Sequence, residues 1–266
     1  MKWSFVVSFS STSFEYISKD ESMEVVFAKL ASLGYDGVEL GIRDPLAVSA
    51  EQTRKLLEKN SLALSAIGTG QAFCDDKLSF TDDSAQIREQ AIEKIRQHIE
   101  LADKLQSNVI IGLIRGIPRD VDKGKQLCIE ALKKCCEYAS EFTGVNILIE
   151  PINRYETSLI NTIDEAMEVI KEVGTDNLGL LVDTFHMNIE EVNIAESIIA
   201  AAPFIKHVHV ADSNRWVPGN GHLDFKEVLT ALQKIQYDGF VSAECLMKPS
   251  KENAYSQNIR FFKELL

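Results

Sequence analysis

Four residues in the second half of this chain carry the donor atoms of metal ligands, and each closes a short apolar run. Glu150 follows Val145-Asn146-Ile147-Leu148-Ile149, and Asp183 follows Leu178-Gly179-Leu180-Leu181-Val182. His209 follows Phe204-Ile205-Lys206-His207-Val208, and Glu244 follows Gly239-Phe240-Val241-Ser242-Ala243. Runs of this length, rich in Val, Ile, Leu and Phe, read as strands covered on both faces. Such a strand has nowhere to solvate a charge until it emerges, so a polar last residue points into the space at its end. Taken singly, a Glu at a strand end is as readily a hydrogen-bond partner for a loop as a ligand. Four at successive strand ends imply one shared divalent cation. Three carboxylates and an imidazole form a mostly hard-oxygen set, suited to Mn²⁺, Mg²⁺ or Co²⁺ more than to a thiolate-bound structural zinc.

Polar side chains crowd the segments just after these residues: Asn153, Arg154, Tyr155 and Glu156 after Glu150, Thr184 and His186 after Asp183, and Asp212 to Arg215 after His209. Loops at strand exits are where such a scaffold reads its ligand. Their density in hydrogen-bonding groups suits a polyhydroxylated carbonyl compound better than a nucleotide or a lipid.

The elements that must position these groups alternate from end to end. Strand-like runs fall near 3–9, 37–40, 62–67, 108–113, 145–150, 178–183, 204–209 and 239–244. Helical periodicity fills the intervals. Thr162-Ile163-Asp164-Glu165 fits a capping box ahead of the stripe Ile163, Ala166, Met167, Ile170 and Val173. Asp224 and Glu227 open a similar helix. The longest helix is expected to begin near Ser84 and to bury Ile92, Ile95, Ile99 and Ala102. Turn residues at Gly34 to Gly37, Thr143-Gly144 and Tyr237 to Gly239 announce the strands that follow. About eight strand–helix units in 266 residues predict one closed (β/α)8 barrel over residues 1–266. An open doubly wound sheet would be announced by a Gly-rich phosphate loop after the first strand. Residues 8–13 read Ser-Phe-Ser-Ser-Thr-Ser instead.

Composition narrows the partners. The chain carries 28 Lys plus Arg against 40 Asp plus Glu, a formal charge of −12. That opposes a nucleic-acid backbone or an anionic membrane surface as the main partner. The apolar N-terminal stretch is too short for a signal peptide, and no window approaches a membrane span. Five cysteines without CxxC spacing fit a reducing compartment, so a cytoplasmic location is expected.

Glu-Pro-x-Asn-Arg-Tyr-Glu from Glu150, Asp-Thr-x-His-Met from Asp183 and His-x-His-x-Ala-Asp-Ser-Asn-Arg-x-x-Pro-Gly-x-Gly from His207, followed by a strand ending in Glu244, together resemble the ketose 3-epimerases. These belong to the xylose isomerase-like barrel superfamily and include D-tagatose and D-psicose 3-epimerases. The resemblance covers essentially the whole chain. The segments 66–72, 149–157, 183–192 and 209–221 look closer still to the 5-keto-L-gluconate epimerase branch associated with inositol catabolism. The resemblance implies that Glu150, Asp183, His209 and Glu244 bind one divalent cation, usually Mn²⁺. It implies that Glu150 and Glu244 also act as an acid/base pair on opposite faces of the substrate, and that Glu156, His186 and Arg215 contact its oxygens. It implies a sugar or keto-uronic acid substrate, no nucleotide or redox cofactor, and a homo-oligomer, since relatives are commonly dimers or tetramers.

The chemistry then follows. A hydrogen on the carbon beside a ketone is weakly acidic, and a cation at the ketone oxygen stabilises the enediolate left when it departs. Two carboxylates are needed because one base on one face would tend to restore the original configuration. Arg43 and Arg115 follow strands two and four and could neutralise a substrate carboxylate, although a solvated or interface arginine is the commoner role. Gln71 is a further candidate contact. Glu39, at the end of strand two, could support the ligands from behind or be structural, and reads as structural; His207 reads as a packed residue behind His209 and not as a ligand. His98 is expected at the surface, Phe261-Phe262 exposed near the C-terminus, and the Cys135-Cys136 pair packed within a helix. An aldose–ketose isomerase or an inosose dehydratase-like lyase on the same scaffold is the alternative. A DNA-repair barrel wants more histidine than the five present and a basic face.

Overall fold

The computed structural model describes residues 1–8 and 22–265. Most of the 8–13 segment, with its missing phosphate loop, and the last residue of the predicted 3–9 strand therefore lie outside the described residues. Eight strands run in chain order around a closed barrel: β1 (Lys2–Ser8), β2 (Gly37–Gly41), β3 (Ala63–Gly68), β4 (Val109–Ile111), β5 (Ile147–Ile149), β6 (Leu178–Asp183), β7 (Ile205–Val210) and β8 (Phe240–Ala243). Each pairs in parallel with the next, and β8 pairs with β1. The helices are α1 (Met23–Leu33), α2 (Ala50–Lys59), α3 (Gly70–Cys74), α4 (Ala85–Leu105), α5 (Val121–Ala139), α6 (Ile163–Val173), α7 (Thr184–Glu190), α8 (Ile194–Ala200), α9 (Phe225–Lys234) and α10 (Lys251–Leu265). This is the predicted (β/α)8 barrel.

Local chemistry fixes the helix ends. At the start of α6 the Thr162 side chain accepts from Glu165 N–H while the Glu165 carboxylate accepts from Thr162 N–H, so the capping box forms. Such a cap contributes about 1 kcal/mol. Asp224 caps α9 by accepting from the N–H groups of Lys226 and Glu227. Gly34 ends α1 at φ +87°, a left-handed conformation that a β-carbon would strain.

The main core lies between the strands and the helices, as in other barrels of this type. Strand register shows how the lumen is filled. Asp183 pairs with His209, His209 with Ser242, Ser242 with Ser4, and Val6 with Glu39, so these side chains share the inner face. On the β3–β6 side the lumen is plugged by Ala66, Ile110, Leu148 and Leu181, a small buried cluster of its own. On the opposite side it holds Ser4, Glu39, His207 and Ser242, all buried. The floor of the site is thus apolar on one side and polar on the other.

Several sequence readings change. The 108–113 run is only partly strand: after Ile111 the chain turns through Gly112 into a short 3₁₀ turn at Leu113–Arg115, whose Ile114 is as buried as a strand residue. Buried apolar character alone does not separate a strand from a covered turn. His98 is not at the surface. It is fully buried on α4, with Nε2 2.8 Å from the Ile42 carbonyl and Nδ1 2.8 Å from that of Lys94. Phe262 is buried too, stacked on Trp3 at 4.5 Å between ring centroids, while Phe261 is partly buried. Cys135 and Cys136 pack inside α5 as expected.

Candidate active site

The four strand-end residues converge. One ligand atom from each of Glu150, Asp183, His209 and Glu244 can be chosen so that all lie within 4.8 Å of one another. Asp183 is the last residue of β6, Glu150 and Glu244 directly follow β5 and β8, and His209 is the penultimate residue of β7. His209 Nδ1 stands 3.5 Å from Glu150 Oε1, 3.4 Å from Glu244 Oε2 and 3.9 Å from Asp183 Oδ2. Neither His209 Nδ1 nor Glu150 Oε1 makes a well-directed hydrogen bond, although both are buried. Buried polar atoms are normally partnered. An oxygen-rich donor set with two such atoms facing inward fits a divalent cation.

Electrostatics agree with the crowding. Burial pushes the Glu150 carboxyl up, with the charges of Glu244 and Asp183 adding and His209 opposing. Burial also works on Asp183, but the Arg215 guanidinium, His186 and His209 outweigh it and hold that carboxyl low. For His209, burial opposes the charged ring, yet the carboxylates of Glu39 and Glu244 beside it raise its pKa well above the ordinary value.

Arg215 caps this cluster. Its Nη1 is 3.0 Å from Asp183 Oδ2 and its Nη2 2.5 Å from Glu244 Oε2. The guanidinium also lies 4.6 Å from the centroid of the Phe185 ring. Its backbone sits at φ +62°, unusual for a residue with a β-carbon. The loop enforces it: Arg215 N–H donates to the Asp212 carbonyl at 2.8 Å, and the buried Asp212 carboxylate accepts from Ser213, Gly219 and Leu223 N–H.

His186 is oriented from behind. Asn153 Nδ2 donates to His186 Nδ1 at 2.8 Å and to Glu156 Oε1 at 2.9 Å. That leaves His186 Nε2 to carry the ring proton, 3.9 Å from Asp183 Oδ2 and 4.0 Å from Glu150 Oε1. Burial lowers the His186 pKa to about 3, so the ring is neutral near pH 7. Glu156 is raised, chiefly by burial.

These groups open on one shared cleft at the strand exits. Glu150, Glu156, His186, His209, Arg215 and Glu244 line it, together with Gln71 and the strand-exit residues Gly41, Gly68 and Gly112. A β-carbon on Gly112 would stand 3.1 Å from Glu150 Oε2, so glycine there keeps the carboxylate accessible. Gln71 donates from Nε2 to Ser8 Oγ at 3.0 Å, and its Oε1 is buried without a partner.

This fold recurs among known proteins. The family model described as a xylose isomerase-like TIM barrel matches residues 27–265. The chain belongs to this family. A D-psicose 3-epimerase from Agrobacterium fabrum is 31% identical over 230 residues, covering 83% of this chain and 78% of that protein. A 3-dehydro-D-guloside 4-epimerase from Escherichia coli is 35% identical over 127 residues, 48% of each. The solved D-allulose 3-epimerase from Methylomonas sp. superposes with a TM-score of 0.85 at 24% identity, covering 100% of this chain and 98% of that one. Like these relatives, this xylose isomerase-like barrel is a sugar epimerase, an isomerase.

Two candidate contacts do not reach the cavity, Arg43 in line with the commoner solvated role and Arg115 in neither expected role. Arg43 is exposed at the rim, paired with Asp76 at 2.5 Å, and does not line the cavity. Arg115 is fully buried and turned away from the cavity. Its guanidinium donates to the carbonyls of Gly112 (3.1 Å), Ile160 (3.3 Å) and, most closely, Glu150. Three carbonyls satisfy most of its donors, so it braces the β4 and β5 exits rather than meeting a ligand. Two contributors were missed in whole or in part: Asn153 was not read as a contributor, and Glu39 was weighed as a support but set behind a structural role. Asn153 stands inside a motif read for its neighbours, and Glu39 sits in mid-strand. The only sequence signal for Glu39 was a charge within the apolar run of β2. Among the described residues no helix is long and apolar enough to cross a membrane.

Proposed function

We propose that this chain inverts the carbon next to the ketone of a neutral ketose, with Glu150 and Glu244 as the two proton-transfer groups. The observation that carries the reading is the convergence of Glu150, Asp183, His209 and Glu244 within 4.8 Å, with buried Glu150 Oε1 and His209 Nδ1 lacking a well-directed hydrogen bond. A divalent cation held there, Mn²⁺ first and Co²⁺ or Mg²⁺ next, would supply positive charge beside the ketone oxygen and make the neighbouring C–H more acidic. Burial raises the Glu150 pKa and brings it closer to working pH, which suits a group that both takes and returns a proton. Arg215 and the neutral Nε2–H of His186 meet the charge that develops on the sugar oxygens. Glu156, held by Asn153, accepts from a substrate hydroxyl.

Charge around the cavity favours a free ketose over a keto-uronic acid. The expectation of an acidic substrate joined the branch resemblance to Arg43 and Arg115, and both arginines are engaged elsewhere. Arg215 is already paired with two carboxylates, so among the described residues a substrate carboxylate would meet Glu156 and no unpaired cation. The names of the relatives, a D-psicose 3-epimerase and a 3-dehydro-D-guloside 4-epimerase, agree on inversion beside a ketone and leave C3 of a free ketose or C4 of a 3-keto glycoside as positions. The test is a panel assay with Mn²⁺: D-psicose, D-tagatose and L-ribulose against 5-keto-L-gluconate and D-tagaturonate. The neutral sugars should show kcat/KM about tenfold or more higher, the cost of one uncompensated charge. A preference for either uronate would contradict the neutral-substrate reading.

A further inference from the structure

Glu39 reaches across the lumen from β2 to two histidines on β7. Its Oε2 lies 2.8 Å from His207 Nε2, and both of its oxygens lie 3.0 Å from His209 Nε2. All three side chains are buried. We propose that Glu39 is a positioning residue for the cation site, accepting from the Nε2–H of both rings and so fixing His209 with Nδ1 as its ligand atom. This inference rests on the proposed cation at Glu150, Asp183, His209 and Glu244.

An ionised carboxylate only accepts hydrogen bonds, so each imidazole must place a proton on Nε2 to reach it. For His207 that completes a simple pair. For His209 it decides which nitrogen faces the other acids. Nε2 keeps its proton on Glu39, and only Nδ1, 3.4 to 3.9 Å from carboxylate oxygens of Glu150, Glu244 and Asp183, remains to bind a cation. A ligating histidine commonly hands its other N–H to a carboxylate in this way, which fixes the ring and raises its basicity. The second histidine adds a restraint. His207 is packed edge-on against His209, with ring centroids 5.3 Å apart at 78°, and holds Glu39 from the floor of the barrel. Anchored there, Glu39 stays a hydrogen-bond acceptor instead of swinging up to become a further ligand. Glu39, His207 and His209 also form a compact group of donor atoms by themselves. His209 Nε2 cannot both donate to Glu39 and bind an ion, so this group is the support of one site and not a second one.

Calorimetric titration with Mn²⁺ tests this on the wild-type protein and on Glu39→Gln. A carboxamide replaces one accepting oxygen with a donating nitrogen, and because both Glu39 oxygens stand 3.0 Å from His209 Nε2, either orientation of the amide sets a donor against that N–H. The wild type should bind one ion per chain, and E39Q should bind it about 10- to 100-fold more weakly. Activity of E39Q should be regained at Mn²⁺ concentrations raised by the same factor, which a merely structural lesion would not allow. Equal affinity within twofold, or two ions per wild-type chain, overturns the proposal. A wild type that binds no Mn²⁺ overturns the cation site itself and this inference with it. Should E39Q not fold, ¹⁵N NMR of the Mg²⁺-loaded wild type decides the matter: both histidines must carry their proton on Nε2, and a bare Nε2 on either ring overturns the assignment.

Discussion

Asn153 donates to His186 Nδ1 across 2.8 Å and thereby settles which ring nitrogen His186 presents to the cavity. The same amide nitrogen donates to Glu156 Oε1 at 2.9 Å, and the Asn153 carbonyl oxygen accepts from Tyr155 N–H at 3.0 Å. One buried side chain therefore sets two cavity groups, and its replacement has a specific outcome. Asn153→Asp puts a carboxylate against Glu156 and obliges His186 to turn a proton toward it, leaving Nε2 without one. We expect kcat/KM to fall about 10- to 100-fold, the cost of one or two misdirected buried hydrogen bonds. Steady-state kinetics on the best ketose of the panel measures this, and a loss below threefold would dismiss the role.

Glu150→Gln and Glu244→Gln should each leave the fold and sugar binding largely intact while removing turnover. A positioned proton-transfer group contributes about 10²- to 10⁴-fold. Calorimetry for binding and a single-turnover assay for chemistry separate the two effects. Either variant retaining more than a tenth of wild-type activity would remove that residue from the pair.

Chelation should lower both activity and thermal stability, because an ion that binds only the folded chain adds stability by mass action. At a hundredfold excess over its Kd that amounts to about 2.7 kcal/mol. Differential scanning fluorimetry after chelation and again after adding back Mn²⁺, Co²⁺ or Mg²⁺ reads the effect and orders the metals. An unchanged melting temperature throughout would argue against the site.

His186 makes stability depend on acid in a defined direction. Burial lowers its folded pKa to about 3, whereas an unfolded histidine titrates near 6.5. Between those values the unfolded chain holds a proton that the folded chain lacks, so stability falls as pH falls, by up to about 1.4 kcal/mol per pH unit. Replacing His186 with Gln should flatten the urea-derived stability profile between pH 6.5 and 4 by about that slope. An unaltered profile would mean that the ring is protonated in the fold.

Arg43 and Arg115 give opposite expectations from the same residue type. Arg43→Ala removes an exposed ion pair with Asp76 and should leave kcat/KM and stability almost unchanged. Arg115→Met strips donors from the carbonyls at the Glu150 exit and should cost about 3 kcal/mol or more of stability. Neither should alter the ratio of neutral to acidic substrates. Denaturant titrations beside the substrate panel check both.

What was legible in the sequence follows from range of interaction. The β6 bounds, Leu178 to Asp183, and the Thr162–Glu165 cap were readable because each depends on a few consecutive residues. The four strand ends were readable because one charge closing each apolar run leaves little choice of position. For Glu39 a supporting role was weighed but set behind a structural one, because its meaning depends on closure of the barrel, which brings β2 opposite β7 across 170 residues. His98 looked like a surface residue because its partner, the Ile42 carbonyl, is 56 residues away and leaves no mark on the helix pattern. Arg115 was read as solvated or at an interface ahead of a substrate contact, and it is none of these, because a strand-exit position says nothing of which way a long side chain turns.

Proton exchange tests the central claim most directly. NMR of the Mn²⁺-treated and then Mg²⁺-exchanged protein with D-psicose or D-tagatose in D₂O should show loss of one carbon-bound proton, at the carbon beside the ketone, with the carbonyl unmoved and the epimer accumulating with deuterium at that centre. Migration of the carbonyl to C1, loss of water, or epimer formed without deuterium would contradict two-carboxylate inversion by Glu150 and Glu244.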